Sequence, residues 1–336
     1  MGDSSLNEKI TMAHGSGGLT TGKLIGDIFA RYFNNEILNR MEDSAVVPGS
    51  ARIAVTTDSF VVKPLEFPGG NIGSLAVCGT VNDLLMSGSV PKYLTAGFIL
   101  EEGLDIALLE RLVSSMQKTA EEAGVKIITG DTKVVEGSGG LIINTAGVGF
   151  VPEGVQVSPA GLCEGDSIIL TGNLGDHHAA ILGSRMGIEN DIVSDAAPLT
   201  EMIGALMKSG CRVHAMRDVT RGGLGTVLNE FAGASGVRIE LEEDKLPVSA
   251  AVRSFAGILG LDPIYMGNEG KAVISVGGED AQEALHIIQK CRYGERAAVI
   301  GRVCGKDEAA EVILKTAIGG RRIIKQMYGE GLPRIC

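Results

Sequence analysis

The chain has 336 residues, more than a usual single-core domain holds, and at roughly 100–200 residues per domain it divides into about two, each long enough to bury a full core. Hydrophobic residues make up 44% and charged ones 21%, Trp is absent, aromatics are 4% and Gly numbers 48, so the cores are aliphatic and the turns tight. A formal charge of -11 without a basic block argues against a nucleic-acid partner, and no basic-then-apolar leader or apolar run of about 18 residues is found, so no membrane association and a cytoplasmic location are expected.

In chain order, the first landmark is His14-Gly15-Ser16-Gly17-Gly18, ahead of an apolar helical pattern. Backbone amides at such a point can cradle phosphate oxygens, and a glycine turn in a solvated arm accounts for the run equally well. Residues 17–23, GGLTTGK, approach the P-loop spacing, but Leu24 follows where magnesium needs a hydroxyl, so a P-loop is excluded. Lys23 is left as a phosphate contact or a solvated lysine.

From residue 51 the apolar periodicity predicts a strand over 52–63, a helix over 74–87, a strand over 92–100, a long amphipathic helix over 106–123, and strands over 125–135 and 141–151. A turn-rich connector over 152–159 sets the first boundary near residue 154. Beyond it the pattern gives a strand over 166–171, helices over 179–186 and 199–207, a Gly-rich turn, a helix over 225–232, a strand over 237–241, a helix over 250–259, a strand over 271–276, a helix over 281–290, and strands near 297–303 and 311–316. Helices and strands mix without strict β-α-β alternation, which predicts an α+β fold in which helices cover a mostly antiparallel or mixed sheet in each half. The expected organisation is 1–154, 155–328 and a terminal tail over 329–336.

Five aspartates are placed at the ends of predicted elements: Asp43 in EDSAVV, Asp58 in VTTDSF, Asp83 in VNDLLMSG, Asp131 in TGDTK and Asp218 in RDVTRGG. Carboxylates gathered together repel unless a cation neutralises them, and hard oxygens suit magnesium carried by a nucleotide. Asp83 is the sharpest case because it interrupts an apolar helical run. The other four also fit turn or cap positions. Arg217 and Arg221, with Gly222-Gly223 behind them, add guanidiniums that fork onto phosphates and a glycine turn before a helix. Glu269, in Asn268-Glu269-Gly270, is placed as a general base or as a solvated loop glutamate. His177-His178 reads as a cap or surface feature, since adjacent helix residues do not share a face.

Six cysteines lie far apart with no C-x-x-C pair, which excludes a disulfide framework and a zinc ribbon. The five internal ones are expected to be buried apolar residues. Cys336 differs: it ends the chain in Pro333-Arg334-Ile335-Cys336, where an exposed thiol is an oxidation liability unless it is used.

The order EDSAVV, VTTD, NDL-x-x-x-G, TGDT and RD-x-T-x-GG resembles the superfamily of aminoimidazole ribonucleotide synthetase, selenophosphate synthetase and thiamine monophosphate kinase, over nearly the whole chain. Within it, HGSGG near the start and PRIC at the end resemble the HypE family of hydrogenase maturation proteins. That resemblance implies a two-domain aminoimidazole ribonucleotide synthetase-like fold and ATP-dependent dehydration of a carbamoyl group on the terminal cysteine to a thiocyanate, the source of cyanide ligands for [NiFe]-hydrogenase. It implies ATP and Mg2+ as cofactors, loading by the carbamoyltransferase HypF, delivery to a HypC-HypD complex, and a homodimer joined through its first domains. Cys336 would be the carrier, and Glu269 and Lys133 would deprotonate or orient the thiocarboxamide. Asp43, Asp58, Asp83, Asp131 and Asp218 would hold magnesium and phosphates together with Arg221, while His14, Gly15, Gly17, Gly18 and Lys23 would fold over the nucleotide. Two other readings stay open: a small-molecule kinase or synthetase of the same fold, for which residues 333–336 would be dispensable, and a non-catalytic thiol carrier.

Overall fold

The computed structural model describes residues 9–16, 18–41 and 44–326. Helix α1 (Gly18–Leu24) runs on into a π-helical stretch, Ile25–Ala30, and is followed by β1 (Ile53–Phe60), the short pair β2 (Glu66–Phe67) and β3 (Gly70–Asn71), α2 (Ile72–Met86), β4 (Val90–Glu101), α3 (Ile106–Ala123), β5 (Lys126–Val135) and β6 (Leu141–Phe150). The N-terminal sheet has the order β1-β6-β4-β5. Its pairs are antiparallel except β4 with β5, which run parallel because α3 carries the chain back between them.

Along β1 exposure alternates: Ile53, Val55 and Thr57 face outward, while Ala54, Thr56 and Asp58 are half-buried on the other face. Helix α2 packs against that inward face. Asn71 starts the helix by accepting from the backbone N–H groups of Gly73 and Ser74 at 2.9 and 3.0 Å. The helix is apolar nearly all round and correspondingly buried all round, lying between the N-terminal sheet and strand β8 of the second half. Helix α3, capped by Asp105, is amphipathic and buries Leu109, Leu112, Val113 and Met116 on one stripe.

The second half continues as β7 (Ser167–Leu170), α4 (Asp176–Met186), α5 (Thr200–Lys208), β8 (Val213–Asp218), α6 (Gly223–Ser235), β9 (Val237–Glu242), α7 (Ala250–Leu259), β10 (Ala272–Val276), α8 (Ala281–Lys290), β11 (Ala298–Lys306), β12 (Val312–Lys315) and β13 (Arg321–Ile324). Its strands order as β13-β12-β9-β11-β7-β10-β8, and β12 with β9 is the parallel pair. Leu224, Leu228 and Phe231 of α6 pack on one face of this sheet. On the other face Leu206, Met216 and Ile274 join Leu75, Val81 and Leu85 of α2 in one continuous core across the two halves. Among the described residues no helix is long and apolar enough to cross a membrane.

Several expectations are corrected. Strands β8 and β13 occupy stretches in which the sequence predicted no strand. Asp58 and Asp131 lie inside β1 and β5 rather than at element ends. Of the internal cysteines only Cys78 and Cys291 are buried; Cys211 and Cys304 are half-buried and Cys163, in the turn before β7, is exposed. His177 and His178 are not surface features: they are 0% and 3% exposed, since α4 is covered on both sides. His177 Nδ1 pairs with Ser194 Oγ at 2.7 Å and its ring meets Phe67 edge-on. Burial holds both imidazoles neutral, with pKa values lowered to about 4.

Candidate active site

Three aspartates and a glutamate meet where the two halves join. Thr56 and Asp58 project from the inward face of β1 toward α2, and Thr56 Oγ1 donates to Asp83 Oδ2 at 2.9 Å. Asp218 closes β8 opposite Ala272, the first residue of β10, so strand pairing holds it beside the segment carrying Glu269. All four carboxyls hold their protons above the ordinary range. Asp58 does so through burial, against the Ser59 N–H and Arg221, and Asp83 through burial against the Thr56 hydroxyl, with Asp58 adding repulsion. Asp218 is pushed up to about 7 by burial and then by Asp83, with Arg217 opposing. Glu269 is raised well above 4.5 by burial and by repulsion from Asp218, Asp195, Asp58 and Asp83. The shared repulsion marks a concentration of negative charge suited to a divalent cation.

Glu269 is held by its neighbours in sequence and by α2. Asn268 is fully buried; its Nδ2 donates to Val219 O at 2.9 Å and Met266 O at 3.1 Å, and its Oδ1 accepts from Gly175 N at 2.7 Å. Gly270 packs so closely that a Cβ there would lie 1.9 Å from Asp195 O. Asp195 Oδ1 accepts from Glu269 N at 3.0 Å, and Lys271 Nζ donates to Gly270 O at 3.1 Å while lying 3.7 Å from Asp195 Oδ2. Asn82, next to Asp83 and 2% exposed, donates to Ala197 O at 3.0 Å and Glu269 O at 3.3 Å and accepts from Leu199 N at 2.9 Å. One amide therefore fixes the helix bearing Asp83 to the loop bearing Glu269.

A pocket of about 490 Å³ opens at this junction, lined by Thr56, Asp83, Arg217, Asp218, Thr220 and Arg221 among others. Beside it the chain turns at Gly222 and Gly223, with φ of 81° and 62°, and a Cβ on Gly223 would lie 2.6 Å from the Tyr265 backbone. Only glycine fits that turn, and α6 starts from it at the pocket's edge, with the Gly223 N–H donating to Thr220 O at 3.0 Å and the Thr226 N–H to Gly222 O at 3.3 Å. Guanidiniums for phosphate oxygens, a helix N-terminus and grouped carboxylates for a hard cation form a donor set that fits a magnesium-bound polyphosphate.

The other expected residues lie elsewhere. Gly15, Asp131 and Lys133 line a second pocket of about 330 Å³, walled by Phe29, Phe33 and Phe98. Lys133 Nζ bonds Asp131 Oδ1 at 2.9 Å, and this contact holds the Asp131 carboxyl below its usual range. Strands β5 and β1 are opposite edges of the sheet, about 14 Å apart at three strand spacings. Within one chain, then, Asp131 and Lys133 do not join Asp58, Asp83, Asp218 and Glu269. His14 is bonded to Thr11, Gly18 is the first residue of α1, and Lys23 is exposed on that helix. Gly17, Asp43 and Cys336 lie outside the described residues. Sequence reasoning missed Thr56, Asn82, Asp195, Asn268 and Lys271; the one signal available was a second polar residue, Asn82, beside Asp83 in an apolar helix.

Comparison with known proteins places this geometry in context. The AIR synthase related protein family matches through its N-terminal domain over residues 41–151 and its C-terminal domain over residues 164–313. The carbamoyl dehydratase HypE of Azotobacter vinelandii is 47% identical over 337 residues, 98% of each chain. The crystal structure of hydrogenase maturation protein HypE in complex with ATP superposes with a TM-score of 0.93 at 44% identity, over 97% of this chain and 99% of that one. The matched chain in the crystal structure of a HypE-HypF complex gives a TM-score of 0.79 at 44% identity, over 90% of this chain and 99% of that one.

Proposed function

This chain belongs to the AIR synthase related family, within its HypE carbamoyl dehydratase branch, and from that premise we propose that it is the enzyme that dehydrates an S-carbamoyl group on Cys336 to a thiocyanate at the expense of ATP. The observation that carries the reading is one pocket lined by Asp83, Asp218, Arg217 and Arg221, with Asp58 and Glu269 close enough to couple electrostatically to its carboxyls. The thiocarboxamide oxygen is a poor leaving group, so it must first attack the γ-phosphoryl group, breaking the bond to the β,γ-bridging oxygen and releasing ADP, while the nitrogen gives up one proton. Loss of the second nitrogen proton then expels the oxygen as phosphate and leaves a carbon–nitrogen triple bond. Magnesium with ATP supplies charge neutralisation and the transferable phosphoryl group. Asp58, Asp83 and Asp218 would hold the cation, and Arg217, Arg221 and the Leu224 and Gly225 amides of α6 the phosphates.

Glu269 is the base in this scheme. Surrounded by uncompensated aspartates it keeps its own proton; once their charge is balanced, the repulsive part of that effect lifts and the carboxylate can take a proton from nitrogen. Asn82 and Asp195 position its backbone. Lys133 and Asp131, with Gly15, Gly17, Gly18, His14 and Lys23, would serve the nucleotide or the tail from the opposite sheet edge. A homodimer joined through residues 1–154 gives that placement a use, because it would set the β5 edge of one subunit near the β1 edge of the other. Residues 155–328 would form the second domain and 329–336 the tail that carries Cys336. Loading by HypF, delivery to HypC-HypD and a cytoplasmic location complete the proposal.

The test is the mass of the C-terminal peptide after incubation with the carbamoyltransferase, carbamoyl phosphate and ATP. The parent should carry a carbamoyl adduct that loses one water only as ATP is consumed, whereas Asp83→Asn and Glu269→Gln should keep the adduct intact. Equal dehydration in parent and both variants would remove these carboxylates from the mechanism. An adduct that never dehydrates in the parent would make the chain a carrier.

A further inference from the structure

Away from the carboxylate pocket, the turn leading into β7 presents an exposed thiol that the proposed function does not use. Among the described residues Cys163 Sγ makes one weak bond, to Gly161 O at 3.6 Å. Gly165, at φ 88°, closes the turn, and Asp166 N donates back to Cys163 O at 3.1 Å, which brings the thiol and the Asp166 carboxylate to one side. Asp166 is 2% exposed, and its Oδ2 gathers three partners: Cys163 N at 2.9 Å, His214 Nδ1 at 2.8 Å and Ser275 Oγ at 2.8 Å. His214 stands on β8 and Ser275 on β10, paired strands that fix the carboxylate between them. One donor atom from each of Cys163, Asp166 and His214 lies within 4.8 Å of the other two.

A thiolate, an imidazole and a carboxylate are the donors of a borderline divalent ion and a poor set for magnesium, which prefers oxygen alone. Bond lengths of about 2.0–2.3 Å in a tetrahedron separate donors by about 3.3–3.8 Å. The thiol and carboxylate reach that range by side-chain rotation, and the His214–Asp166 pair by opening about half an ångström. We propose that Cys163, Asp166 and His214 form a binding site for a transition ion of the zinc class, with water as the fourth ligand. The thiol releases its proton to solvent on binding, and His214 coordinates through Nδ1 as its Nε2–H tautomer. Ser275 and the Cys163 N–H then act as the outer partners that aim the carboxylate. Because His214 and Asp218 share β8, an ion here braces the strand that ends in the carboxylate pocket.

The site stands apart from the proposed function and is tested separately. Full-length protein carrying Cys336→Ser, so that the terminal thiol cannot contribute, is titrated with cobalt(II) and followed by absorption. The expected result is a thiolate-to-cobalt charge-transfer band in the near ultraviolet that saturates at one equivalent, with tetrahedral visible bands and displacement by zinc. Adding Cys163→Ser should abolish the charge-transfer band and weaken binding at least about tenfold, and His214→Ala should weaken it comparably. Cys304→Ser should leave both unchanged. A band that survives Cys163→Ser, or the absence of a charge-transfer band at millimolar cobalt, overturns the assignment. Cys163 is exposed, so its replacement leaves the fold intact and the comparison interpretable.

Discussion

Replacing Asp218 by asparagine should stabilise the nucleotide-free protein at neutral pH while removing a ligand for the bound cation. The Asp218 carboxyl is pushed from 3.8 up to about 7 by burial and by Asp83, so the folded protein holds this proton more tightly than the unfolded chain does. Between about pH 4 and pH 7 the folded state binds more protons, and its stability must therefore fall as pH rises through that window. The full effect of such a displacement is about 4 kcal/mol. Asp218 is only half-buried, and solvent screening reduces the figure to about 2 kcal/mol. Asparagine has nothing to ionise. Denaturant unfolding of parent and variant across pH should show little difference near pH 4 and a variant advantage that grows to about 2 kcal/mol by pH 8. With magnesium and ATP the order should reverse, since ligand binding stabilises only the protein that can hold it. A difference that is flat with pH, or that favours the parent at pH 8 without nucleotide, would refute the idea that burial, helped by Asp83, holds the Asp218 proton in the folded state.

Two further outcomes follow from the same junction. Asn82→Ala leaves the buried Leu199 N–H without its acceptor, and an orphaned buried group costs about 1–3 kcal/mol, so the thermal midpoint should fall by roughly 5 °C. Dehydration in that variant should slow more than carbamoyl loading, because Asp83 and Glu269 lose their common anchor; equal slowing of both steps would leave Asn82 a purely structural residue. Lys271→Met strands Asp195 as an uncompensated buried carboxylate, and breaking such a pair costs about 3–5 kcal/mol, a loss measurable by denaturant titration. A cost under about 1 kcal/mol would show that the pair contributes little.

Legibility in the sequence followed how local each signal was. Helices Ile106–Ala123, Ala250–Leu259 and Ala281–Lys290 were bounded correctly because each buries one stripe and so repeats at helical spacing. Strand Val213–Asp218 escaped notice because its second half, MRD, leads into a glycine turn, and Arg321–Ile324 because three of its four residues are exposed at a sheet edge. Asp83 was legible since a carboxylate inside an apolar helix is costly anywhere. Asn82, Asn268 and Asp195 were not, because an amide or carboxylate that pairs with backbone declares its purpose only when that distant backbone is in place. The five aspartates looked like one set in sequence. The sheet order separates Asp131 from Asp58, a fact of strand arrangement that spacing along the chain does not encode.

The most direct measurement follows a single oxygen atom. Load Cys336 with a carbamoyl group labelled with oxygen-18, add magnesium and ATP, and analyse the products of one turnover by mass. Phosphoryl activation requires the label to leave bonded to phosphorus, in inorganic phosphate, in proportion to the thiocyanate formed. Label recovered in water, with unlabelled phosphate, would contradict the account.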